Sequence, residues 1–503
     1  MRVETTTLEG PPVTESSAAF IERLRAVAGD ADVLADPQQL RLYMYDGSID
    51  RALPIAVVLP RDAAQISRVV RLCHDEGVHV TPRGAGTGLS GGSIPLCGGI
   101  VLSSARMKAI LAVDLENATA TVQPGLVNLD LSKHLAPFGF QYVPDPSSQG
   151  ACTIGGNVAE NSGGPHTLTG GVTTNHVLAL EVVLADGERV RIGSPAPDPP
   201  GPDLVGVMCG SEGTIGIVTE ILCRIVRTWE TVRTLMVAFE SCRAASEAVS
   251  AVISSGIIPT AMEMMDHPAL GAIEAFSHAG YPVDAGAVLL LELEGLEDGI
   301  DRAAQRVLGI CRESGATEVR LAKNDEEREA LWKGRKKAFG AMGRIGPSYY
   351  VQDGVIPRTR LPEMLDRVEE AARKVGLRVA NVFHAGDGNL HPLILFDERD
   401  PDQTKRAIAA GEEILRACIE LGGSITGEHG VGMEKRDYMA LQFPPATMEA
   451  FHALREACDP ERTLNPYKVL PSGLGCAEGG KRQKTLAQMQ EMAHQAAAAG
   501  DAY

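Results

Sequence analysis

From Pro54 to about Arg227 the hydrophobic positions come in short β-rich runs separated by turns and helical segments. IAVVLP is followed by the amphipathic DAAQISRVVRLCHDEG and then by VHVTPRG; GGIVLSS, ILAVDLENATATVQPG and VLALEVVLADGERVRIG add further extended runs. This alternation predicts an α+β domain, and Asp186-Gly187, set between two β-rich stretches, predicts a hairpin turn. Past Arg227 the pattern changes. TVRTLMVAFES, SCRAASEAVSAVISSG, AGAVLLLELEG and EDGIDRAAQRVLGICRESG read as strand, helix, strand, helix, which predicts a second domain with an antiparallel sheet covered by helices. The expected division is a helical lead-in over 1–50, a first domain over 51–227, a second over 228–470 and an Ala/Gln-rich tail over 471–503. SPAPDPPGPDL at 194–204 is too rich in proline for an element interior and is expected as an exposed loop.

At 503 residues the chain is too long for one ordinary core. With 44% hydrophobic and 22% charged residues it reads as a soluble globular protein. Its formal charge of -18, from 47 Lys and Arg against 65 Asp and Glu, argues against nucleic acid, whose binders gain affinity from basic patches. The N-terminal MRVETTTLEGPPVTESS has early acids and no apolar stretch, unlike a secretory signal. The most apolar run, AVLLLEL, is interrupted by Glu292 and falls far short of the ~20 residues a bilayer requires. A cytoplasmic or peripheral location is expected. The 10 cysteines show no CxxC pair, which excludes a zinc ribbon or an iron–sulfur ligand set and predicts mostly buried thiols in a reducing compartment.

Glycine concentrates in segments that no packed core needs. VTPRGAGTGLSGGSIPL at 80–96 allows positive φ and close backbone approach, so consecutive N–H groups can converge on an anion; the alternative is a flexible loop. It lacks a following helical pattern and a GK[ST], so it is neither a Rossmann fingerprint nor a P-loop. PDPSSQGACTIGGNVAENSGGPHTLTGGVT at 144–173 is too rich in glycine and proline to build a core, and a loop that long is usually functional. CGSEGTIGIVTE at 209–220 is a third such piece. Together they point to a large ligand carrying both phosphate and a flat ring system.

PRGAGTGLSGG, PDPSSQGACTIGGNVAENSGG and GSEGTIGIVTE resemble the FAD-binding segments of the vanillyl-alcohol oxidase type of flavoproteins. The branch they most resemble is the FAD-linked D-2-hydroxyacid dehydrogenases, which includes the FAD-carrying subunits of glycolate oxidase and cytochrome-linked D-lactate dehydrogenase. The resemblance runs from about residue 20 to 470. It implies a two-part FAD-binding domain followed by a substrate and metal domain. It also implies that Pro82, Arg83, Gly84, Ala85, Gly86, Thr87, Gly88, Leu89 and Ser90 cradle the pyrophosphate. Asp145, Pro146, Ser147, Ser148, Thr153, Ile154, Gly155, Gly156, Asn157, Ser162, Gly163, Gly164, Gly213, Ile217 and Val218 would then line the adenosine, ribityl and flavin parts. Some relatives join the flavin covalently to a histidine of the first loop; here that stretch is Gly86-Thr87-Gly88, so non-covalent FAD is expected.

RVANVFHAGDGNLHPLILF sets β-rich runs on either side of Ala-Gly-Asp-Gly, whose Asp-Gly favours a tight reversal. A hairpin there would bring His384 and His391 onto neighbouring strands, close enough to share one ligand; otherwise they are two unrelated histidines of a surface hairpin. ITGEHGVGMEKRDYM adds Glu428 and His429 between glycines. Two imidazoles and a carboxylate make a ligand set that leaves positions open on Zn²⁺, Mn²⁺ or Fe²⁺, where the hydroxyl and carboxylate of a 2-hydroxy acid could bind. The resemblance implies the same assignment: His384, His391 and Glu428 as metal ligands and His429 as base. Asp387 reads as turn chemistry, with Asn389 as a further candidate contact.

In LWKGRKKAFGAMGRIGPSYY the resemblance puts Arg335 on the substrate carboxylate, a task suited to guanidinium. Against it stands a solvated helix face crowded by Lys333, Lys336 and Lys337. Relatives that take long dicarboxylates carry a threonine four residues on; Phe339 here favours glycolate or D-lactate over 2-hydroxyglutarate. The implied reaction is hydride transfer from the 2-hydroxy acid to flavin N5, with electrons then passing to iron–sulfur and FAD-domain partner subunits near the inner membrane, a quinone or a cytochrome. The alternatives are a non-redox flavoenzyme of the same fold, of the alkylglycerone-phosphate synthase type, and a non-catalytic FAD-domain assembly subunit.

Overall fold

The computed structural model describes residues 15–196 and 200–471. Residues 472–503 of the tail expected over 471–503, the extreme N-terminus and the centre of the Pro-rich segment lie outside them. The chain divides into two compact units: residues up to Ser162 with Val172–Arg227 and the chain from Glu428 onward, and Gly163–Gly171 with Thr228–Gly427.

The first unit is built mainly on two sheets, beside a two-stranded ribbon of Phe140–Gln141 and Val226–Arg227. In one, the strands Ala56–Val58, Ile100–Ser103 and Val80–Arg83 run parallel, and Val33–Leu34 closes the edge antiparallel. The amphipathic stretch forms the helix Ala63–Asp75, whose N-terminus is capped by the Asp62 side chain accepting from the Gln65 N–H. Its apolar face, Ile66, Val69, Val70 and Cys73, packs with Val58, Val80, Ile100 and Leu102. The other sheet is five-stranded and antiparallel, and its strands Val177–Val183 and Arg189–Gly193 form the hairpin turned by Asp186-Gly187. The C-terminal chain returns to the first sheet: Val80 donates to the Thr463 carbonyl at 2.9 Å and accepts from the Asn465 N–H at 2.7 Å.

The second unit carries a nine-stranded antiparallel sheet whose central order is Ala316–Leu321, Thr231–Phe239, Ala287–Gly295, Ala261–Asp266, Arg378–His384. The alternating strand and helix pattern is present, with helices Cys242–Ser254 and Glu297–Glu313 where the periodicity predicts them. The strand Ala261–Asp266 (AMEMMD) and the helix His267–Ser277 between them were not read from the sequence.

Two expectations need correction. The 144–173 segment is not all loop: Ile154–Glu160 is a helix, capped by the Thr153 hydroxyl accepting from the Gly156 N–H at 3.2 Å. Ile154 and Val158 are buried in the core of the antiparallel sheet, because their i, i+4 spacing puts them on one face of the helix. The cysteines also divide. Cys73, Cys223 and Cys311 are buried thiols, and burial pushes the Cys223 thiol up to about 12, which leaves it unreactive. Cys97, by contrast, is disulfide-bonded.

Candidate active site

In the first unit the three glycine-rich pieces converge. Pro82 and Arg83 end the parallel strand Val80–Arg83, so the loop that follows leaves from the carboxyl edge of the sheet, where ligands of open α/β sheets bind. Gly84 stands against the Thr153 hydroxyl and Gly213 against the Pro82 ring, so a side chain at either glycine would collide with the neighbouring segment. Gly88 accepts from the Gly47 N–H at 2.8 Å. Asp145 leads into the turn of Pro146, Ser147, Ser148 and Gln149, closed by the Gln149 N–H on the Pro146 carbonyl at 2.7 Å. Asn157 is buried, its side chain accepting from Asn128 at 2.9 Å. Ile217 and Val218 begin the strand Ile217–Arg224, and Ser162 ends the first stretch of this unit while Gly163 and Gly164 begin a stretch of the other. A backbone-lined cradle of this kind fits a phosphate-bearing cofactor.

The sequence reading missed the residues that tie these loops together. The Asn465 side chain donates to the carbonyls of Gly92 at 2.9 Å and Glu212 at 2.7 Å. Glu212 is buried and accepts from the N–H groups of Val431 at 2.6 Å and Gly432 at 2.8 Å. The Ser90 hydroxyl donates to the His429 carbonyl at 2.8 Å, and the Ser90 carbonyl accepts from the Met433 N–H at 2.9 Å. The loop carrying Glu428 and His429 is therefore held through its backbone, with the two side chains 3.9 Å apart. Glu160 faces the same turn; burial, then the Glu212 charge, pushes its carboxyl well above the usual range.

In the second unit His384 ends the strand Arg378–His384 and pairs with Asn389 across the turn. The predicted reversal is present: Asp387 accepts from the Asn389 N–H at 3.1 Å, and Gly388 takes a φ of 82°. A Cβ at Gly388 would run into the Ile356 carbonyl. Gly388→Ala is therefore expected to cost at least about 1–3 kcal/mol and to displace the hairpin, measured as a lower urea midpoint. The histidine rings are 5.1 Å apart and nearly perpendicular, and both are buried.

Both histidines have carboxylate neighbours that pattern alone did not reveal. His384 Nδ1 lies 2.8 and 2.9 Å from the two oxygens of Glu263, a fully buried residue of the strand Ala261–Asp266. Glu263 also pairs with Arg335 at 2.5 Å. Burial would raise the Glu263 carboxyl, but Arg335 and His384 outweigh it and hold the group below its ordinary value. Asp353 stands 3.6 Å from His391 Nε2 and accepts from the Thr426 hydroxyl at 2.6 Å and the Gly427 N–H at 3.1 Å. No local pattern in AMEMMD marks Glu263, because every residue of that strand is buried. Arg335, on the helix Asp325–Lys336, is 2% exposed, so the solvated-face alternative is set aside. Phe339 packs edge-on against His391, with centroids 5.9 Å apart. A histidine oriented by a carboxylate on one ring nitrogen is the usual arrangement of a metal-binding imidazole, so His384 fits that role.

A second buried carboxylate anchors the same helix. Glu292 accepts from the Thr234 hydroxyl at 2.6 Å, from Arg328 at 3.0 and 3.1 Å and from the Trp332 indole at 2.5 Å. His166, stacked on Trp332, stands 3.3 Å away. Burial pushes this carboxyl up, but hydrogen bonds from His166, Arg328 and Thr234 outweigh it and bring it down to about 2. His166, Glu292 and Glu294 could each offer an atom to a cation, yet the Arg328 guanidinium already neutralises Glu292, which makes this a structural ion pair.

Comparisons with known proteins agree with this organisation. Residues 54–193 match the FAD binding domain family and residues 228–469 match the family of FAD linked oxidases, C-terminal domain. The chain is 46% identical over 474 residues to the glycolate oxidase subunit GlcD of Escherichia coli K12, covering 94% of this chain and 95% of that one. It is 32% identical to a D-lactate dehydrogenase of Anaerostipes hadrus, covering 83% of this chain and 90% of that one. Among solved structures, a 4-ethylphenol oxidase from Gulosibacter chungangensis superposes with a TM-score of 0.78 at 18% identity, over 92% of this chain and 98% of that one, which shows the vanillyl-alcohol oxidase type of fold.

Proposed function

Because the chain belongs to the FAD-linked oxidases, we propose that this FAD-dependent oxidoreductase oxidises a small D-2-hydroxy acid, glycolate or D-lactate, to the 2-oxo acid. The observation that carries the reading is Glu263: one buried carboxylate joins His384, a candidate metal ligand, to Arg335, a guanidinium able to take a substrate carboxylate. Phe339 beside His391 supports a short substrate, since an apolar wall there offers nothing to a second carboxylate.

In this reading FAD, bound without a covalent link, supplies the two-electron acceptor. His384, His391 and Glu428 would hold a divalent cation, which would supply Lewis-acid polarisation of the hydroxyl. Arg335 binds and orients the substrate carboxylate. His429 accepts the hydroxyl proton at its imidazole as the Cα–H bond breaks. No helix among the described residues is long and apolar enough to cross a membrane; electrons would leave through partner subunits, a quinone or a cytochrome. The relatives named as glycolate oxidase subunits favour a partner complex.

The test is an anaerobic absorbance screen of the purified protein against glycolate, D-lactate, L-lactate and D-2-hydroxyglutarate, with and without chelator. Bleaching of the flavin by glycolate or D-lactate, suppressed by chelation, is expected. A flavin that no 2-hydroxy acid bleaches would overturn the proposal in favour of non-redox chemistry on the same fold.

A further inference from the structure

Glu263 does more than orient one histidine. Its Oε2 lies 2.9 Å from His384 Nδ1 and 2.5 Å from Arg335, so a single oxygen serves both partners. The three groups come from different elements: the strand Ala261–Asp266, the strand Arg378–His384 and the helix Asp325–Lys336. Glu263 is fully buried and Arg335 nearly so, which keeps water from screening one partner from the other. With Nδ1 committed to Glu263, Nε2 is the nitrogen through which His384 can ligate a cation. A cation there polarises the ring and strengthens the Nδ1–H hydrogen bond. Carboxylate charge drawn toward His384 is charge withdrawn from Arg335.

Resting on the metal and substrate roles proposed above, we propose that Glu263 is a positioning residue that couples the two sites: a cation at His384 loosens the hold of Glu263 on Arg335 and makes that guanidinium available to a substrate carboxylate. The coupling acts on any carboxylate, including one with no hydroxyl. It must also be reciprocal, because a linkage between two binding equilibria changes both affinities by the same factor.

The experiment uses the FAD-loaded protein, stripped by chelator and reloaded with Zn²⁺ or Mn²⁺, with metal content measured directly. Propionate, a carboxylate without the hydroxyl, is titrated by calorimetry. The metal-loaded protein is expected to bind it about threefold to tenfold more tightly than the stripped protein, within the range usual for coupled sites. Propionate should tighten the metal by the same factor. Glu263→Gln, loaded at saturating metal, should bind propionate alike with and without metal. Should that variant not fold, Glu263→Asp, too short to span both partners, should lose the coupling in the same way.

Equal propionate affinity in the loaded and stripped wild-type protein would overturn the coupling and leave the proposed function standing. A ratio that persists in the Glu263 variants would also overturn it, because propionate is then ligating the metal directly. Failure of the wild-type protein to take up metal would overturn both the coupling and the metal part of the proposed function.

Discussion

Replacing His429 by alanine is expected to lower the rate constant of flavin reduction by glycolate or D-lactate by about 10²–10⁴-fold, the usual contribution of a positioned general base. That corresponds to about 3–5 kcal/mol of transition-state stabilisation. The loop that carries His429 is held through its backbone. Ser90 binds the His429 carbonyl and the Met433 N–H, and Glu212 binds the N–H groups of Val431 and Gly432, so these four anchors are to backbone. Truncating the imidazole removes the proposed proton acceptor and leaves those anchors in place. Bound FAD per chain, read from the absorbance ratio, should therefore stay at the wild-type value while anaerobic stopped-flow traces slow. An undiminished rate would show that the proton goes elsewhere.

The largest stability effect is expected at Glu292. Glu292→Ala leaves the Arg328 guanidinium and the Trp332 indole N–H facing a site with no acceptor. Removing one partner of a buried ion pair costs about 3–5 kcal/mol; Arg328 is one-third exposed, which places the expected loss near the lower end. The pH dependence has a definite sign. The carboxyl is held at about 2 in the folded protein, against an ordinary value of 4.5. Its stabilisation is complete above the unfolded value and disappears as pH falls from about 4.5 toward 2, where both states bind the proton. Urea midpoints measured between pH 7 and pH 3 should thus fall more steeply for the wild type than for Glu292→Ala, and parallel profiles would refute the assignment. Because Arg328 and Trp332 precede Arg335 on one helix, a loosened helix should also raise KM for the hydroxy acid.

Much of the fold was legible because it follows from local chemistry. The helix Ala63–Asp75 shows its amphipathic period and its Asp cap, and the Asp186-Gly187 and Asp387-Gly388 turns show residues suited to a tight reversal. The helix Ile154–Glu160 was hidden because two glycines obscure a period that only Ile154 and Val158 carry. The strand Ala261–Asp266 was hidden because it is buried on both faces, so its residues do not alternate in polarity.

The sequence by itself determined which residue types are available to the chemistry: the glycine-rich segments for a phosphate-bearing cofactor, the histidines of HAGDGNLH, and the Glu428-His429 pair. It could do so because long glycine-rich segments cost chain entropy and build no core, which marks them as serving a ligand. Only the tertiary structure decided what surrounds them. Glu263 lies 121 residues from His384, and Glu212 lies 219 residues from Val431. No periodicity or spacing encodes such pairs, because a buried carboxylate finds its partners through sheet register and helix docking, not through its neighbours along the chain.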